Sequence, residues 1–431
     1  MRFSRIIACI SASCVLAGAV SAQSLDTDFR INPERAAGVY HSYEFVPIAD
    51  TPAPKGFKPF YVSHYGRHGS RHQIGSSGTL AYEAWAAAEK AGLLTEAGER
   101  MMKDIRRVYE EHVGMDGELT RRGGLEHQQI ASRMFNRFPQ AFKDRRRTAV
   151  HCQASIIPRC LVSMAYFTTG LKDASPRLQF DFITGQKYLD LLARDYYDTE
   201  SYRERQSAIR DSILLATVHP DHFIDTYFKK DPSRGEVLPN PHKLLWYTFL
   251  YVSICQDLRE ELDGLDMFHW LTPQEILEMG IYSNDRTYSS FGNSLEFGDH
   301  ITWAAKWLVE DFIERADKAL EKGSDTAADL RFGHDSGILP LAGLLGLEGI
   351  GDRWSIGQAH LHYPVWQNIP MGSNLQMVFY RNRKDDILVK ILYNEKETAI
   401  PAVPAFEGPY YKWQDLRAYL VSISENKEFQ K

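Results

Sequence analysis

Apolar and polar positions repeat one arrangement three times along the chain. A β-leaning apolar run ends in a polar loop, and apolar positions at helical spacing follow that loop. The runs are "FKPFYVSHYG", "RRRTAVHCQAS" and "ADLRFGHDSG", and the helical pattern after the second closes at Gly170. This alternation predicts strand, loop and helix units. Because such units build a sheet with helices on its faces, we expect a three-layer α/β/α core whose three loops meet at one rim, at the carboxyl ends of the strands.

Between residues 185 and 300 the pattern becomes largely helical and rich in aromatic residues, as in "HKLLWYTFLYVSICQDLREELDGL". We therefore expect a helical insert domain at 185–300, with residues 23–184 and 301–431 forming the α/β core together. The length of 431 residues exceeds the usual size of one hydrophobic core, which fits this division. Near the end, "NLQMVFYRNRKDDILVKILYNE" alternates apolar and polar residues on each side of a charged turn, which predicts a β-hairpin.

The first 22 residues have the layout of a cleaved secretory signal. They combine two arginines, an apolar run from residue 6 to residue 20, and small residues at Ser21 and Ala22. A retained membrane anchor is the alternative, but the apolar run is short for a bilayer span. We expect cleavage near Ala22 and export to the periplasm or the exterior. Since no later apolar run is long enough to cross a bilayer, no membrane span is expected in the mature chain.

Removal of this segment would change the net charge and the number of cysteines of the chain. Losing its two arginines changes the formal net charge from −6 to −8, so nucleic acid is not an expected partner. An anionic substrate would need a local positive pocket in this acidic protein. The cysteines that remain are Cys152, Cys160 and Cys255, too few for a disulfide framework. One bridge or buried free thiols are both open.

The loop after the first predicted strand holds the most chemically distinctive side chains. In "RHGSR", Arg67 and Arg71 flank His68, and Gly69 permits close backbone approach and offers a carbonyl to one imidazole nitrogen. A neutral imidazole held in this way keeps its other nitrogen free to attack phosphorus. Guanidinium groups match the oxygens of a phosphoryl group, so the motif favours phosphoryl transfer.

The other two loops supply complementary groups. Arg159 lies just inside the helix after the second strand, where it can share the same rim. In "GHDSG", His334 can donate to a phosphoryl oxygen, and Asp335 begins a helix. Asp335 suits a general acid if an anionic substrate raises its pKa, and it also suits a helix N-cap.

Metal binding is a second interpretation of the histidines around the first loop. His64 and His72 could join His68 as ligands. The flanking arginines would repel a cation, so we expect no metal.

Together these motifs resemble the histidine phosphatase superfamily, specifically the acid phosphatase and phytase branch that includes the multiple inositol polyphosphate phosphatases. The resemblance rests on "RHGSR", "LTRRGGLEHQQIASRMFNRFP", "ASIIPRCLVSMAYFTTGL" and "GHDSGILPLAGLLGL", in this order between Tyr61 and Leu347. It implies a phosphoglycerate mutase-like α/β core with a largely helical second domain, and no metal or other cofactor. It implies that His68 is a nucleophile passing through a phosphohistidine, that Asp335 protonates the leaving alcohol, and that the phosphate is bound by Arg67, Arg71, Arg159 and His334.

Two departures from the family pattern leave the substrate open. Arg71 is followed by His72, where the family often has Pro or Tyr. The His-Asp pair is followed by Ser336 and Gly337, where phytases often carry Thr-Asn and inositol polyphosphate phosphatases frequently have His-Ala-Glu in place of the pair.

We therefore expect a metal-independent phosphoric monoester hydrolase whose partner is a small-molecule phosphate ester, with phytate and other inositol polyphosphates favoured. A broad-specificity acid phosphatase is the alternative. A phosphate-ester binding protein without turnover is disfavoured because the chain has both His68 and Asp335. A mutase is disfavoured by the expected export and by the His-Asp pair.

Further basic residues are candidates for contacts with a substrate that bears many phosphates. They are His72, Arg121 and Arg122. The run of arginines at 145–147 is open between a solvated approach to the strand, which we favour, and a secondary substrate contact.

Overall fold

The computed structural model describes residues 25–188, residue 192 and residues 200–425, so the predicted signal at 1–22 lies outside the described residues. Within these residues the centre of the molecule is one eight-stranded sheet. Its strands are β1 Lys58–Arg67, β2 Ala149–Ala154, β3 Gln179–Thr184, β4 Thr326–Gly333, β5 Asn374–Arg381, β6 Ile387–Tyr393, β7 Lys396–Glu397 and β8 Tyr410–Lys412.

The sheet is mixed, and its order is β3-β2-β4-β1-β5-β6-β7, with β8 also paired to β6. Strands β3, β2, β4 and β1 run parallel, while β5 and β6 form the predicted antiparallel hairpin. Arg67 at the end of β1 is paired with Gly333 of β4, and Ala154 at the end of β2 is paired with Phe332. The three loops singled out by the sequence pattern therefore leave the same edge of the sheet.

Helices make up most of the remaining structure. Their bounds are α1 Ser76–Lys90, α2 Glu96–His112, α3 Arg121–Arg137, α4 Pro139–Lys143, α5 Pro158–Ala174, α6 Glu200–Thr217, α7 Asp221–Tyr227, α8 Arg234–Val237, α9 Pro241–Ile254, α10 Pro273–Phe291, α11 Gly298–Trp303, α12 Lys306–Leu320, α13 Asp335–Leu345, α14 Val365–Asn368 and α15 Trp413–Ser424. Short 3-10 helices lie at Pro33–Tyr40, Gln186–Tyr188, Cys255–Leu258, Phe268–Trp270 and Ala359–Leu361. Among the helices of the described part of the chain, none has the length and apolar character that a membrane crossing requires.

Helices cover both faces of the sheet because neighbouring side chains of a strand point to opposite faces. Val62 of β1 belongs to a buried cluster with Met134 of α3 and Phe167 of α5. Tyr61, the preceding residue, belongs to a second cluster that includes Phe312 of α12. This arrangement confirms the predicted α/β/α core.

A third hydrophobic cluster lies beneath the helices of the predicted insert at 185–300, which we call the helical region. It joins Trp246 and Phe249 of α9 to Trp85 of α1 and Met101 of α2. Helices from 76–112 thus share a core with those of the predicted insert. The boundaries 185–300 stay a prediction, since a shared core does not define where one domain ends.

The three cysteines of the described residues are buried free thiols. Cys152 lies in β2, Cys160 lies in the first turn of α5, and Cys255 follows α9. Of the two possibilities left open by the cysteine count, the structure has the free thiols.

Candidate active site

The loops after β1, β2 and β4 are joined by backbone hydrogen bonds at the carboxyl edge of the sheet. The amide of His68 donates to the carbonyl of Gly333 over 2.9 Å, and that of Ser155 donates to Phe332 over 2.9 Å. The rings of His68 and His334 stand edge to face, with their centroids 5.5 Å apart. The three sequence segments that carry the motifs thus form one cluster.

His68 is held as the sequence predicts. Its Nδ1 lies 2.9 Å from the carbonyl oxygen of Gly69, and only 2% of the residue is exposed. Burial, together with the positive charges of Arg159 and Arg67, holds the pKa of His68 well below its ordinary value of 6.5. The imidazole is therefore neutral. Because a carbonyl oxygen only accepts, Nδ1 carries the proton and the lone pair of Nε2 is left for attack.

The motif "LTRRGG" supports this loop from beneath. A side chain at Gly69 would place its Cβ 2.3 Å from the carbonyl oxygen of Gly123, so only glycine allows the loop and the start of α3 to approach this closely. The amide and hydroxyl of Thr120 both donate to the carbonyl of Ser70, over 3.0 and 3.1 Å. This contact locks the loop that follows His68 to the N-terminus of α3.

Two buried guanidinium groups flank His68. Arg67 donates to the carbonyls of Val39 (2.8 Å) and Ile369 (2.9 Å). Arg71 donates to the carbonyl of His72 over 2.8 Å, and burial lowers its pKa to about 10, so it stays a cation near neutral pH. The Nε atoms of Arg67 and Arg71 are buried and have no hydrogen-bond partner among the described residues. Positive charge and spare donors are what a tetrahedral oxyanion requires.

Arg159 and His334 contact one another. An Nη of Arg159 lies 3.3 Å from Nδ1 of His334, and because a guanidinium only donates, Nδ1 accepts and Nε2 carries the ring proton. Nε2 lies 3.1 Å from the hydroxyl of Ser155, to which it donates. Burial and the charge of Arg159 lower the pKa of His334 to about 3, so the ring is neutral. To donate to a phosphoryl oxygen, as predicted, His334 must exchange its hydrogen bond to Ser155 for one to the ligand.

Asp335 is the first residue of α13, and its carboxylate has two partners. One oxygen lies 3.2 Å from an Nη of Arg67, and the other accepts from the amide of Ser336 over 3.0 Å. Burial alone would raise the pKa of Asp335, but the positive charges of Arg67 and Arg71 hold it below its ordinary value. The free protein therefore carries Asp335 as a carboxylate. A general acid at this position must gain its proton when an anionic substrate arrives.

His72 follows Arg71 in the loop after β1 and is enclosed. The residue is 5% exposed, and its ring packs against His112 with centroids 5.8 Å apart. Burial and the neighbouring His112 lower the pKa of His72 to about 4. It therefore stands at the site as a neutral ring.

Arg121 and Arg122 are engaged with the helical region. Exposed Arg121 forms an ion pair with Glu260 over 2.9 Å. An Nη of Arg122 donates to the carbonyl of Gln256 over 2.6 Å. The Nε of Arg122 also lies 3.8 Å from a carboxylate oxygen of Glu126. Both guanidiniums therefore have partners within the protein.

No group of three or more metal-binding side chains occurs in the part of the chain that the structure describes. His64 belongs to the interior beneath the loop, where its ring contacts Phe167 and Phe332 with centroid distances of 5.0 and 5.5 Å. It does not share a ligand cluster with His68 or His72.

Two buried carboxyl groups that the sequence analysis missed also support the loop. Glu126 accepts from both the amide and the hydroxyl of Ser70, each over 2.8 Å. Asp257 accepts from the hydroxyl of Ser42 over 2.5 Å, and the hydroxyls of Ser42 and Ser70 are 3.3 Å apart. Glu126 is part of "LTRRGGLEHQQ", so its motif was visible. No local pattern marks Asp257, which reaches the loop from the helical region.

Burial and the charge of Glu126 raise the pKa of Asp257 to about 7. A carboxyl group whose folded-state pKa is raised stabilises the fold at low pH, and this stabilisation is lost as pH rises from about 4 to about 7. We expect Asp257→Asn to remove this dependence, so that the variant gains up to about 4 kcal/mol of unfolding free energy relative to the parent between about pH 4 and pH 8. Urea unfolding across that range is the measurement.

Asp173→Asn, on an exposed position of α5, is the matched control for replacing a carboxylate by an amide, and the effect of Asp257→Asn should clearly exceed its effect. A parallel pH dependence in the Asp257→Asn variant and the parent would contradict the raised pKa.

No family model matches the chain. In sequence it is similar to "Multiple inositol polyphosphate phosphatase 1" of Gallus gallus, with 23% identity over 415 residues, covering 88% of this chain and 84% of the relative. In structure it is similar to the multiple inositol polyphosphate phosphatase of Bifidobacterium longum in complex with inositol hexasulfate, with a TM-score of 0.75, 18% identity, and coverage of 90% of this chain and 97% of the other.

The chain has the histidine acid phosphatase fold. A phytase from D. castellii also has this fold, with a TM-score of 0.68, 14% identity, and coverage of 92% of this chain and 87% of the phytase. The predicted resemblance to the acid phosphatase and phytase branch is therefore confirmed. The relatives are phosphatases and phytases by name, which agrees with the predicted enzyme class.

Proposed function

We propose that this protein is a phosphoric monoester hydrolase that acts on inositol polyphosphates, without a metal, through a phosphohistidine at His68. The observation that carries the proposal is the neutral, buried His68, whose Nδ1 is tied to a carbonyl and whose Nε2 is left among the positive charges of Arg67, Arg71 and Arg159. A nucleophile already deprotonated and surrounded by cations is suited to attack a negatively charged phosphoryl group.

In the first step, Nε2 of His68 forms a bond to phosphorus while the bond from phosphorus to the ester oxygen breaks. The departing alkoxide takes the proton of Asp335, which leaves the carboxylate. In the second step, Asp335 accepts a proton from water as the water oxygen attacks the phosphohistidine, and the P–N bond breaks to release inorganic phosphate. The guanidiniums stabilise the charge on the transferring group in both steps.

The proton on Asp335 is supplied by substrate binding in this scheme. In the free protein, Arg67 holds the carboxyl ionised. A bound phosphate ester draws the charge of Arg67 to itself and adds negative charge next to Asp335, and both effects raise the pKa of the carboxyl. One carboxyl group can then be an acid in the first step and a base in the second.

The substrate class is supported by the names of the relatives. The relative from Gallus gallus is named for inositol polyphosphates, and the Bifidobacterium longum structure holds inositol hexasulfate, which has the shape of a fully phosphorylated inositol. A broad-specificity acid phosphatase is the second candidate. It is favoured by the contacts of Arg121 with Glu260 and of Arg122 with Gln256, since additional phosphates would have to compete with these partners.

Phosphate release from phytate and from an aryl phosphate, both with a chelator present, separates these candidates. We expect kcat/KM for phytate to exceed that for the aryl ester by about tenfold or more, because several phosphates contribute binding energy that one phosphate cannot. The chelator should change neither value. Comparable efficiencies would instead identify a general acid phosphatase, and no release from either ester would favour a binding protein.

We also propose that the protein is exported, on the basis of residues 1–22. The mass of the exported chain should correspond to a start near Gln23. A mass that includes the first 22 residues would contradict cleavage.

A further inference from the structure

A large cleft lies at the end of the sheet opposite to His68. It has a volume of about 1000 Å³ and is formed by the start of β1, the loops before β2 and β4, and the turn between β5 and β6. Strand β1 runs for ten residues from Lys58 in this cleft to Arg67 at the active site. At about 3.3 Å per residue, the two regions are about 30 Å apart, so one small ligand cannot contact both.

The cleft is strongly basic in a protein whose formal net charge is −6. Two carboxylates, Asp144 and Asp386, line it. The cations that line it are Lys55, Lys58, Arg146, Arg147, Arg381, Arg383 and Lys384. We call this region the basic cleft. Its charge is opposite in sign to that of the whole protein. Anions are therefore attracted to this cleft and not to the protein as a whole.

Two of the cations are fixed in place by an aromatic ring. The guanidinium of Arg147 lies 4.8 Å from the ring centroid of Phe60, and that of Arg381 lies 4.3 Å from the same centroid. Arg147 is 6% exposed, and it donates to the carbonyls of Thr326 (2.6 Å) and Ala319 (3.0 Å). Burial and the charge of Arg381 both lower the pKa of Arg147. The base of the basic cleft is therefore a rigid pair of like charges.

Protein carboxylates neutralise only part of this charge. Arg146 pairs with Asp144 over 3.4 Å, and Arg381 lies 3.8 Å from Asp385. In the described part of the chain, the remaining side chains of the rim form no ion pair, and these are Lys55, Lys58, Arg383 and Lys384. Like charges gathered without counterions repel each other, and a bound anion would relieve that repulsion.

We propose that the basic cleft is a second ligand site, which binds a small molecule bearing several phosphate groups. The charges stand on several walls of a concave space, so separate phosphates of one ligand can each meet a cation. An extended anionic surface would also approach the acidic remainder of the protein and be repelled by it. Arg146 and Arg147 of the run at 145–147 thus take part in anion binding about 30 Å from His68.

Titration calorimetry with myo-inositol hexasulfate tests this, because its sulfate esters imitate a polyphosphorylated ring. We expect two sites per chain in the parent protein. The double variant Arg383→Glu and Lys384→Glu should leave binding at the active site unchanged. It should weaken binding at the basic cleft by about tenfold or more, because attraction becomes repulsion. Arg71→Ala should weaken the active-site binding and leave the basic cleft intact. Lys90→Glu combined with Lys103→Glu, on exposed positions of α1 and α2, changes the net charge equally and should keep both sites.

A parent protein whose only site is kept by the Arg383 and Lys384 variant, or an equal loss in the Lys90 and Lys103 control, would overturn the proposal. Sedimentation with phosphatidylcholine vesicles that contain a phosphoinositide forms a second arm. Vesicle binding that hexasulfate does not displace would identify a membrane surface as the ligand and would also overturn it. The Arg383 and Lys384 variant should keep full hydrolysis of an aryl phosphate, so failure of the basic cleft and failure of the proposed catalytic function give different results.

Discussion

Replacing His68 by alanine is expected to abolish phosphate release from every phosphomonoester, with kcat falling by about 10⁴-fold or more. The reason is that the imidazole forms the bond to phosphorus, and no other side chain can replace it there. Its Nε2 is available because Nδ1 is committed to the carbonyl of Gly69. The measurement is steady-state release from phytate and an aryl phosphate, together with rapid quenching at alkaline pH to trap the labelled phosphohistidine in the parent.

His219→Ala is the matched control, since His219 is exposed and pairs with Glu278, in the helical region. It should retain full activity. His68→Asn is a second variant that keeps an N–H donor for the Gly69 carbonyl, so a loss in both variants with unchanged thermal stability assigns the effect to chemistry. Activity above about one tenth of the parent in either variant would exclude covalent catalysis by His68.

Replacing Asp335 by asparagine is expected to separate substrates by their leaving groups. An alkyl phosphate such as glycerol 2-phosphate should lose about 10²- to 10³-fold in kcat, whereas an aryl phosphate should lose less than about tenfold. An aryloxide departs without a proton, but an alkoxide requires one. Asparagine keeps the shape of the side chain and an oxygen that can accept from the amide of Ser336. Parallel measurements with the two esters give the comparison.

The same assignment predicts a pH dependence with a definite sign. Because Arg67 and its neighbours hold the pKa of Asp335 below its ordinary value, the protonated fraction in the free protein falls about tenfold per pH unit above that pKa. For the alkyl ester, kcat/KM of the parent should decrease as pH rises, and Asp335→Asn should lack this decrease.

The inhibition constant for inorganic phosphate is the control, since it reports whether Arg67 still binds phosphate after losing its carboxylate partner. Equal losses of kcat on both esters would remove the general-acid assignment.

Local patterns were sufficient for the framework of the molecule. The strand, loop and helix units around His68, Arg159 and His334 were visible because each lies within one short stretch, where residue spacing determines which face a side chain occupies. The hairpin of β5 and β6 was visible for the same reason. The parallel arrangement of β1, β2 and β4 then follows, since parallel strands place their carboxyl ends at one edge.

The residues around that framework could not be found in this way. Asp257 meets Ser42 across the helical region and the core, and Ser155 becomes the partner of His334 only when β2 and β4 pair. Neither contact has a local spacing that would reveal it. Arg122 was a candidate for substrate binding on its charge alone, yet its guanidinium donates to Gln256. A sequence shows which residues are charged, but it does not show which groups those residues contact.

The sequence by itself therefore determined the α/β core, the order of its motifs and the residues His68, Arg159 and His334 that the structure brings together, because these depend on periodicity and on residues close in the chain. Only the tertiary structure decided which basic residues lack an ion-pair partner and where these residues lie. Arg147 and Arg381 come from distant segments, and they share the ring of Phe60 at the end of the sheet away from His68. Packing between distant segments sets such contacts, and no local pattern encodes it.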